Sequence, residues 1–376
     1  MPLGGFRING LAKAISIVVG GYPQFPQIRI HPADNAVNDN FGRFSISIST
    51  SDNRIVIGAN LDDTPVNAAG SAYVYDLQGN LIIKIIRSDA NYAWNFGRLV
   101  AVGEGIIVIS SGARPQVYIY DLNGVFIAEL NPNSNQFRSL ASIKIGYEKI
   151  LLGYTKSGYN NAGLSNHGQL YVYSLSGNII TTRMVNSGST RSTDAFGKSC
   201  SIGPTRIVVG ASGENYQRVY IYDSNLSLIT SIGTPITSET SRDFGSAVAV
   251  SDSRIVVGSR ISDGTSTFSG RAFLYDLDGN LISELVDIEN TSRAGTNVGI
   301  QENLVFVKSA NFISVFDIDG NYLMKYNSPD NPGYGYYGGG FDVGDDRWAS
   351  STILSEDGSY GSYGTENVWV NPLPIV

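Results

Sequence analysis

Asn40-Phe41-Gly42, Arg54-Ile-Val-Ile-Gly58 and Ala72-Tyr-Val-Tyr-Asp76 follow one another, ahead of the turn Leu77-Gln-Gly-Asn80 and the apolar run Leu81-Ile-Ile-Lys-Ile-Ile86. The runs are short and rich in β-branched and aromatic residues, and Gly and Asn bound them, so each reads as a strand. Gln-Gly-Asn supplies the positive φ that a tight hairpin needs. The whole series then recurs. Phe-Gly returns at Phe96-Gly97, Phe196-Gly197 and Phe244-Gly245. The second strand returns as Arg254-Ile-Val-Val-Gly258, and the third as Val117-Tyr-Ile-Tyr-Asp121, Val219-Tyr-Ile-Tyr-Asp223 and Ala272-Phe-Leu-Tyr-Asp276.

Three degenerate copies fill the gaps. One starts at Phe137, where Arg138 replaces the Gly, and continues through Lys149-Ile-Leu-Leu-Gly153 to Leu170-Tyr-Val-Tyr173. One starts at Ala294-Gly295 and runs to Ile313-Ser-Val-Phe-Asp317; the last starts near Gly340-Phe341 and ends at Val368-Trp-Val370. Seven units with a period of roughly 50 residues, each with four strands, are the signature of a β-propeller. The fold class is therefore all-β: a seven-bladed β-propeller of four-stranded antiparallel blades. The seventh unit lacks a fourth strand before Val376. Gln27-Ile-Arg-Ile30 precedes Asn40-Phe41-Gly42 as Ile85-Ile86 precedes Asn95-Phe96-Gly97, so an N-terminal strand near residues 26–31 is expected to complete the last blade. Closure of this kind removes exposed sheet edges between the first and last units. Residues 1–25 are left as an N-terminal arm, and 26–376 form the propeller.

Composition narrows the function. Of 376 residues 43 are Gly, two are His and one is Cys, and the net charge is -7. A lone Cys200 excludes a disulfide framework and a Cys-based zinc site, and two His cannot form a three-His centre. An acidic chain is a poor ligand for nucleic acid, whose binding rests on Lys and Arg. No apolar run is long enough for a membrane span. His31 and His167 read as ordinary surface residues, and Cys200 as a small buried apolar side chain. Without a nucleophile beside a matched base, no catalytic residue is assigned. The acid pairs Asp62-Asp63 and Asp345-Asp346 leave a glycosidase as a third reading, because the spacing such acids need is spatial. No metal and no cofactor is expected. Asp276-Leu-Asp-Gly279 and Asp317-Ile-Asp-Gly320 look like calcium loops but lack the later bidentate Glu, and read as hairpin turns.

Turn length separates two faces. The first–second and third–fourth turns are short; the second–third loops and the blade connections are long and variable, which marks the second face as a contact surface. Aromatics gather there: Tyr334, Tyr336 and Tyr337 in one Gly-rich stretch, Tyr360 and Tyr363 in another, Tyr92 and Trp94 in the connection between the first two blades. Tyr and Trp give amphipathic contact area at low entropy cost.

The Phe-Gly opening with Gly58-Ala59, Gly210-Ala211 and Gly258-Ser259 resembles the FG-GAP repeat, which builds seven-bladed propellers such as integrin α-subunit heads. Members often hold calcium between their first two strands. Here that turn is short and is read as mostly lacking acids, so the metal is not carried over. Met1-Pro-Leu-Gly-Gly-Phe-Arg-Ile-Asn-Gly-Leu-Ala-Lys13 resembles the opening of virion structural proteins of marine cyanobacterial phages. That resemblance implies a virion location, other virion proteins as partners, several symmetric copies, and an arm that anchors through Leu3, Phe6, Arg7, Ile8 and Leu11. The leading expectation is a non-enzymatic structural protein, tail- or capsid-associated; the alternative is a host-recognition adhesin that binds surface glycan through the long-loop face.

Overall fold

The computed structural model describes residues 28–32, 39–63, 68–87, 95–112, 116–132, 138–156, 168–184, 195–213, 216–235, 242–262, 269–285, 295–309, 312–327, 336–353 and 366–374. Among them every regular element is a β-strand, grouped into seven four-stranded sheets. Six sheets are consecutive antiparallel meanders. The first strands of blades 1 to 6 are Ile46–Ser49, Phe96–Gly103, Arg138–Gly146, Phe196–Ile202, Arg242–Val250 and Asn297–Gln301. Blade 7 opens with Tyr336–Val343 and is completed by the N-terminal strand Ile28–Ile30, which pairs antiparallel with Glu366–Pro372 through Ile28↔Val370 and Ile30↔Val368. The chain therefore closes its ring as the repeat pattern requires. No helix among the described residues is long and apolar enough to cross a membrane.

Period-two alternation explains the core. In Arg54–Ala59, Ile55 and Ile57 face blade 7, while Val56 faces blade 2. Each of the seven hydrophobic clusters straddles one blade boundary in this way, with Trp348 of blade 7 meeting Phe306 and Tyr326 of blade 6. The repeat Phe residues are fully buried and meet third-strand aromatics edge-on: Phe41 with Tyr73 at 5.2 Å, Phe96 with Tyr118 at 5.8 Å, and Phe196 with Tyr220 at 5.5 Å between ring centroids. Burial of each such ring stabilises by about 2–3 kcal/mol, and each edge-on pair adds about 1 kcal/mol.

The two recurrent glycines meet each other. The Gly after Phe has positive φ, +84° at Gly97 and +83° at Gly197, which lets the chain bulge at the strand entrance. Its carbonyl then presses on the second-strand Gly of the preceding blade. A Cβ on Gly58, Gly153, Gly210 or Gly258 would overlap the carbonyl oxygen of Gly97, Gly197, Gly245 or Gly295 respectively. Adjacent blades thus touch backbone to backbone near the axis.

Arginines fasten the outer seam. Arg54, Arg206 and Arg254, each at the second-strand entrance, donate through Nε to a third–fourth turn carbonyl of the next blade: Leu122 at 3.1 Å, Leu277 at 3.0 Å and Ile318 at 2.8 Å. Arg347 of blade 7 donates through Nη1 to the Leu77 carbonyl of blade 1 at 3.3 Å, so an equivalent arginine clamp bridges the point where the ring closes. The recipient turns are self-supported. Asp276 Oδ1 accepts the amides of Asp278 and Asn280, and its Oδ2 accepts Asn280 Nδ2. Asp317 is held identically by Asp319 and Asn321, so both sequences form hairpin turns. The side-chain bond from Asn280 holds the Asp276 carboxyl below its usual range, against a smaller opposing effect of desolvation.

Replacing Gly210 by Ala should destabilise the fold by about 2–3 kcal/mol through this overlap. Gly233→Ala, where an added Cβ meets nothing within 4 Å, should lie within about 0.5 kcal/mol of the unsubstituted chain. Urea unfolding of the two variants checks the contrast; equal midpoints would contradict the seam.

Candidate functional site

All seven first strands line a central channel of about 440 Å³. One layer of it is built from equivalent positions, fixed by the same pairing with each second strand: Ser47, Ala101, Lys144, Ser201, Ala249, Gly299 and Asp342. Five are small. The other two carry opposite charges and join across the channel, with Lys144 Nζ 2.9 Å from Asp342 Oδ1. Asp342 Oδ2 also accepts Ser47 Oγ and the Ile48 amide, both at 3.1 Å. The Asp342 charge raises the Lys144 pKa above the ordinary lysine value, and this outweighs desolvation.

The layer also serves a backbone need. A first strand is an inner sheet edge, and its amides face the axis without a strand partner. Side chains of the preceding blade satisfy several. Ser45 Oγ accepts the Val100 amide at 3.0 Å, Ser47 Oγ accepts Val102 at 3.1 Å and Ser201 Oγ accepts Val250 at 3.2 Å. Asp342 does the same for Ile48, so its carboxylate both caps an edge and pairs with Lys144.

Lys308 departs from the repeat. Its pairing with Ile313 puts it where Gly58 pairs with Ala72 in blade 1. The side chain is fully buried, and Nζ donates to Gly340 O at 3.0 Å. Burial pushes its pKa down to about 7.

Both sequence-adjacent acid pairs have structural partners. Asp62 Oδ2 lies 2.6 Å from Lys84 Nζ and accepts Ser71 Oγ at 2.5 Å and Tyr73 Oη at 3.1 Å; Asp63 accepts the Ala68 amide. Asp345 accepts Thr50 Oγ1 and Gln301 Nε2, and Asp346 lies 3.6 Å from Arg347 Nε. The first–second turns carry more acid than the sequence reading allowed: Asp52, Glu104, Glu148, Asp252, Glu302 and Asp345 place one in six of seven. Several cap a neighbouring turn, as Asp52 does for the Gly105 amide and Glu104 for that of Glu148.

Cys200 is buried against blade 3, and desolvation pushes its thiol up to about 11, which fits the apolar role. His31 follows the closing strand half-buried, its Nδ1 2.9 Å from Pro32 O. Tyr336 and Tyr337 share the first strand of blade 7, opposite Ile353 and Thr352. Tyr92, Trp94, Tyr334, Tyr360, Tyr363, His167 and the arm residues Leu3, Phe6, Arg7, Ile8 and Leu11 lie outside the described residues.

The outer circumference carries a feature that the blade count alone does not announce. Each fourth strand in blades 1 to 5 begins with two exposed apolar residues in the same register: Leu81-Ile82, Phe126-Ile127, Ile179-Ile180, Leu228-Ile229 and Leu281-Ile282. The signal was present in the sequence, as an apolar pair at the start of each of these fourth strands, but strand identity alone did not say that the pair is exposed.

Comparison with known proteins agrees with this geometry. The FG-GAP repeat model matches residues 26–75. That match and the seven blades together support an FG-GAP type of propeller. No curated protein matches the chain. Among solved structures, the chain is similar to the Pan2 WD40 domain of Neurospora crassa, with 15% identity over 88% of this chain and 90% of that one and a TM-score of 0.56. A catalytically inactive virginiamycin B lyase from Staphylococcus aureus, with quinupristin, matches at 9% identity over 93% and 99% with a TM-score of 0.61. A europium-containing methanol dehydrogenase matches at 10% identity over 88% and 81% with a TM-score of 0.51. At these identities the likeness is one of fold.

Asp342→Ala should cost about 2–4 kcal/mol, because it strips an edge amide and unpairs a lysine. Lys144→Met should cost about 1 kcal/mol, since its side chain is 41% exposed and channel water screens the pair. The Lys144 contribution should be complete below the ordinary lysine pKa and fade as pH rises through the raised value. Denaturant melts of both variants test the order; a larger loss for Lys144→Met would overturn it.

Lys308 gives the opposite slope. Its folded pKa lies below its unfolded one, so between about pH 7 and 10.5 the unfolded chain binds more protons and stability rises with pH. Lys308→Met should flatten stability against pH in that window. An unchanged slope would show that this amine is not its source.

Proposed function

We propose that the chain is a non-enzymatic structural protein of a phage virion, tail- or capsid-associated and present in several symmetric copies, whose propeller acts as a rigid body for protein–protein contact. The observation that carries the contact reading is the rim of exposed apolar pairs on five successive blades. Apolar residues scattered singly over a surface need no explanation, but a pattern repeated at one register marks an interaction surface. The charges of the channel and the sequence-adjacent acids are engaged in blade-to-blade and loop bonds, which favours a structural role for them. The virion assignment rests on the resemblance of residues 1–13 to phage structural proteins.

Quantitative mass spectrometry of purified particles should find the chain at a fixed multiple of the major capsid or tail protein. Its recovery only from the particle-free fraction of the lysate would overturn the virion reading.

A further inference from the structure

We propose that the apolar rim receives the N-terminal segment, residues 1–25, of a second copy of this chain. This rests on the protein-contact reading above and names the partner. The rim is chemically specific. Each exposed pair follows a third–fourth turn, and in four of the five blades that turn opens with a carboxylate: Asp76, Asp121, Asp223 or Asp276. The Asp76 and Asp276 carboxyls are held below their usual range, so they stay ionised; Asn280 is the main cause at Asp276, whereas at Asp76 the bonds from Asn80 and Gln78 outweigh a large opposing desolvation. The outer strands are also sheet edges, and no proline or lysine guards their first two residues. A fitting partner is therefore apolar, extended, basic and free of acid.

Residues 1–25 have that composition. They hold Leu3, Phe6, Ile8 and Leu11 together with Ile15, Ile17, Val18 and Val19. Arg7 and Lys13 are their only charged side chains, and a chain net of -7 then leaves -9 on residues 26–376. Position matters too. The segment joins the propeller at Ile28, and an added Cβ on Gly79 would meet Ile28 Cγ2 at 2.7 Å, so it departs beside the turn that precedes Leu81. Ile28 and the rim thus lie at one level of the molecule. The pairs on blades 3 and 4, Ile179-Ile180 and Leu228-Ile229, lie across the ring from blade 7. Twenty-five extended residues span about 80 Å. That is ample for a bridge from one propeller to the facing rim of the next, whereas covering its own far blades would take the segment around half the circumference.

Sedimentation velocity on the full chain tests this, with one variant on each side of the contact: Ile180→Asp with Leu228→Asp on the rim, and Phe6→Asp with Leu11→Asp on the arm. The rim positions are exposed, so circular dichroism and melting temperature should be unchanged; Ile179→Asp alone serves if the double rim variant fails to fold. The unsubstituted chain should self-associate, each variant should weaken association at least tenfold, and added salt should weaken it as well. A chain that stays monomeric at about 100 μM, or rim variants that associate as tightly as the unsubstituted chain, would overturn the proposal. A monomeric chain whose arm variant gains binding of an apolar dye would overturn it in favour of the chain's own segment as occupant. Particle content does not enter these measurements, so the virion reading and this one fail separately.

Discussion

The backbone contact between successive blades is the constraint on which the rest of the ring depends. Seven sheets around one axis crowd most tightly at their inner strands. Where the carbonyl of Gly97 meets Gly58, and those of Gly197, Gly245 and Gly295 meet Gly153, Gly210 and Gly258, no Cβ fits. The Phe beside Gly97, Gly197 and Gly245 is buried in the same blade boundary, so there one dipeptide fixes spacing and hydrophobic register together. A repeat that keeps Phe-Gly and the second-strand Gly therefore encodes a seam between blades rather than a feature within one blade.

The seams that lack a glycine show what the contact requires. In blade 2 the second-strand position is Ser110, whose hydroxyl turns back to its own blade and accepts the Leu99 amide at 2.9 Å. In blade 7 it is Ser351, fully buried, against Gly42. In blade 6 it is Lys308, whose long side chain carries an amine to the Gly340 carbonyl. Ser351 and Lys308 keep a close or polar contact across the seam at the place the glycine would hold. The lysine does so at the largest desolvation cost, which its lowered pKa records.

The architecture was legible because its signals are local and repeated. Hairpin turns, alternating strands and the missing seventh fourth-strand all follow from residue types at short range, and the closing strand Ile28–Ile30 follows from counting. The channel pair was not legible in the same way. Lys144 and Asp342 are 198 residues apart and meet only because blades 3 and 7 face one axis. A trace existed, since Ser-Ile-Lys-Ile-Gly and Gly-Phe-Asp-Val-Gly each put a charge inside a first-strand alternation, but periodicity does not say which two charges meet. The arginine clamps were hidden for the same reason. Arg54 and Arg254 were visible as strand entrances, while their acceptors, the Leu122 and Ile318 carbonyls, lie in the following unit. The exposure of the apolar rim was not legible, because exposure, unlike strand identity, is a property of the closed ring. Leu81 and Ile85 belong to one run, yet Leu81 is exposed and Ile85 buried, depending on whether the next blade's turn reaches over them.

That difference also locates where such a ring can interact. The inner strands spend their donors on neighbouring blades, and the channel holds the Lys144–Asp342 pair among small residues. The blade boundaries are filled by aromatics and clamped by arginines on the short-turn side. A body fixed in this way has little freedom to close around a partner, so recognition falls to its outside. Of the described outer surface, the fourth strands are the elements with unpaired edges, and they carry the repeated apolar pairs. A ring also multiplies whatever it displays: one weak contact per blade, repeated at one height, gains by effective concentration once the first is made. For a component of a symmetric assembly this is a useful property. It lets binding strength grow with the number of blades engaged, while each blade keeps the same modest surface that the repeat already encodes.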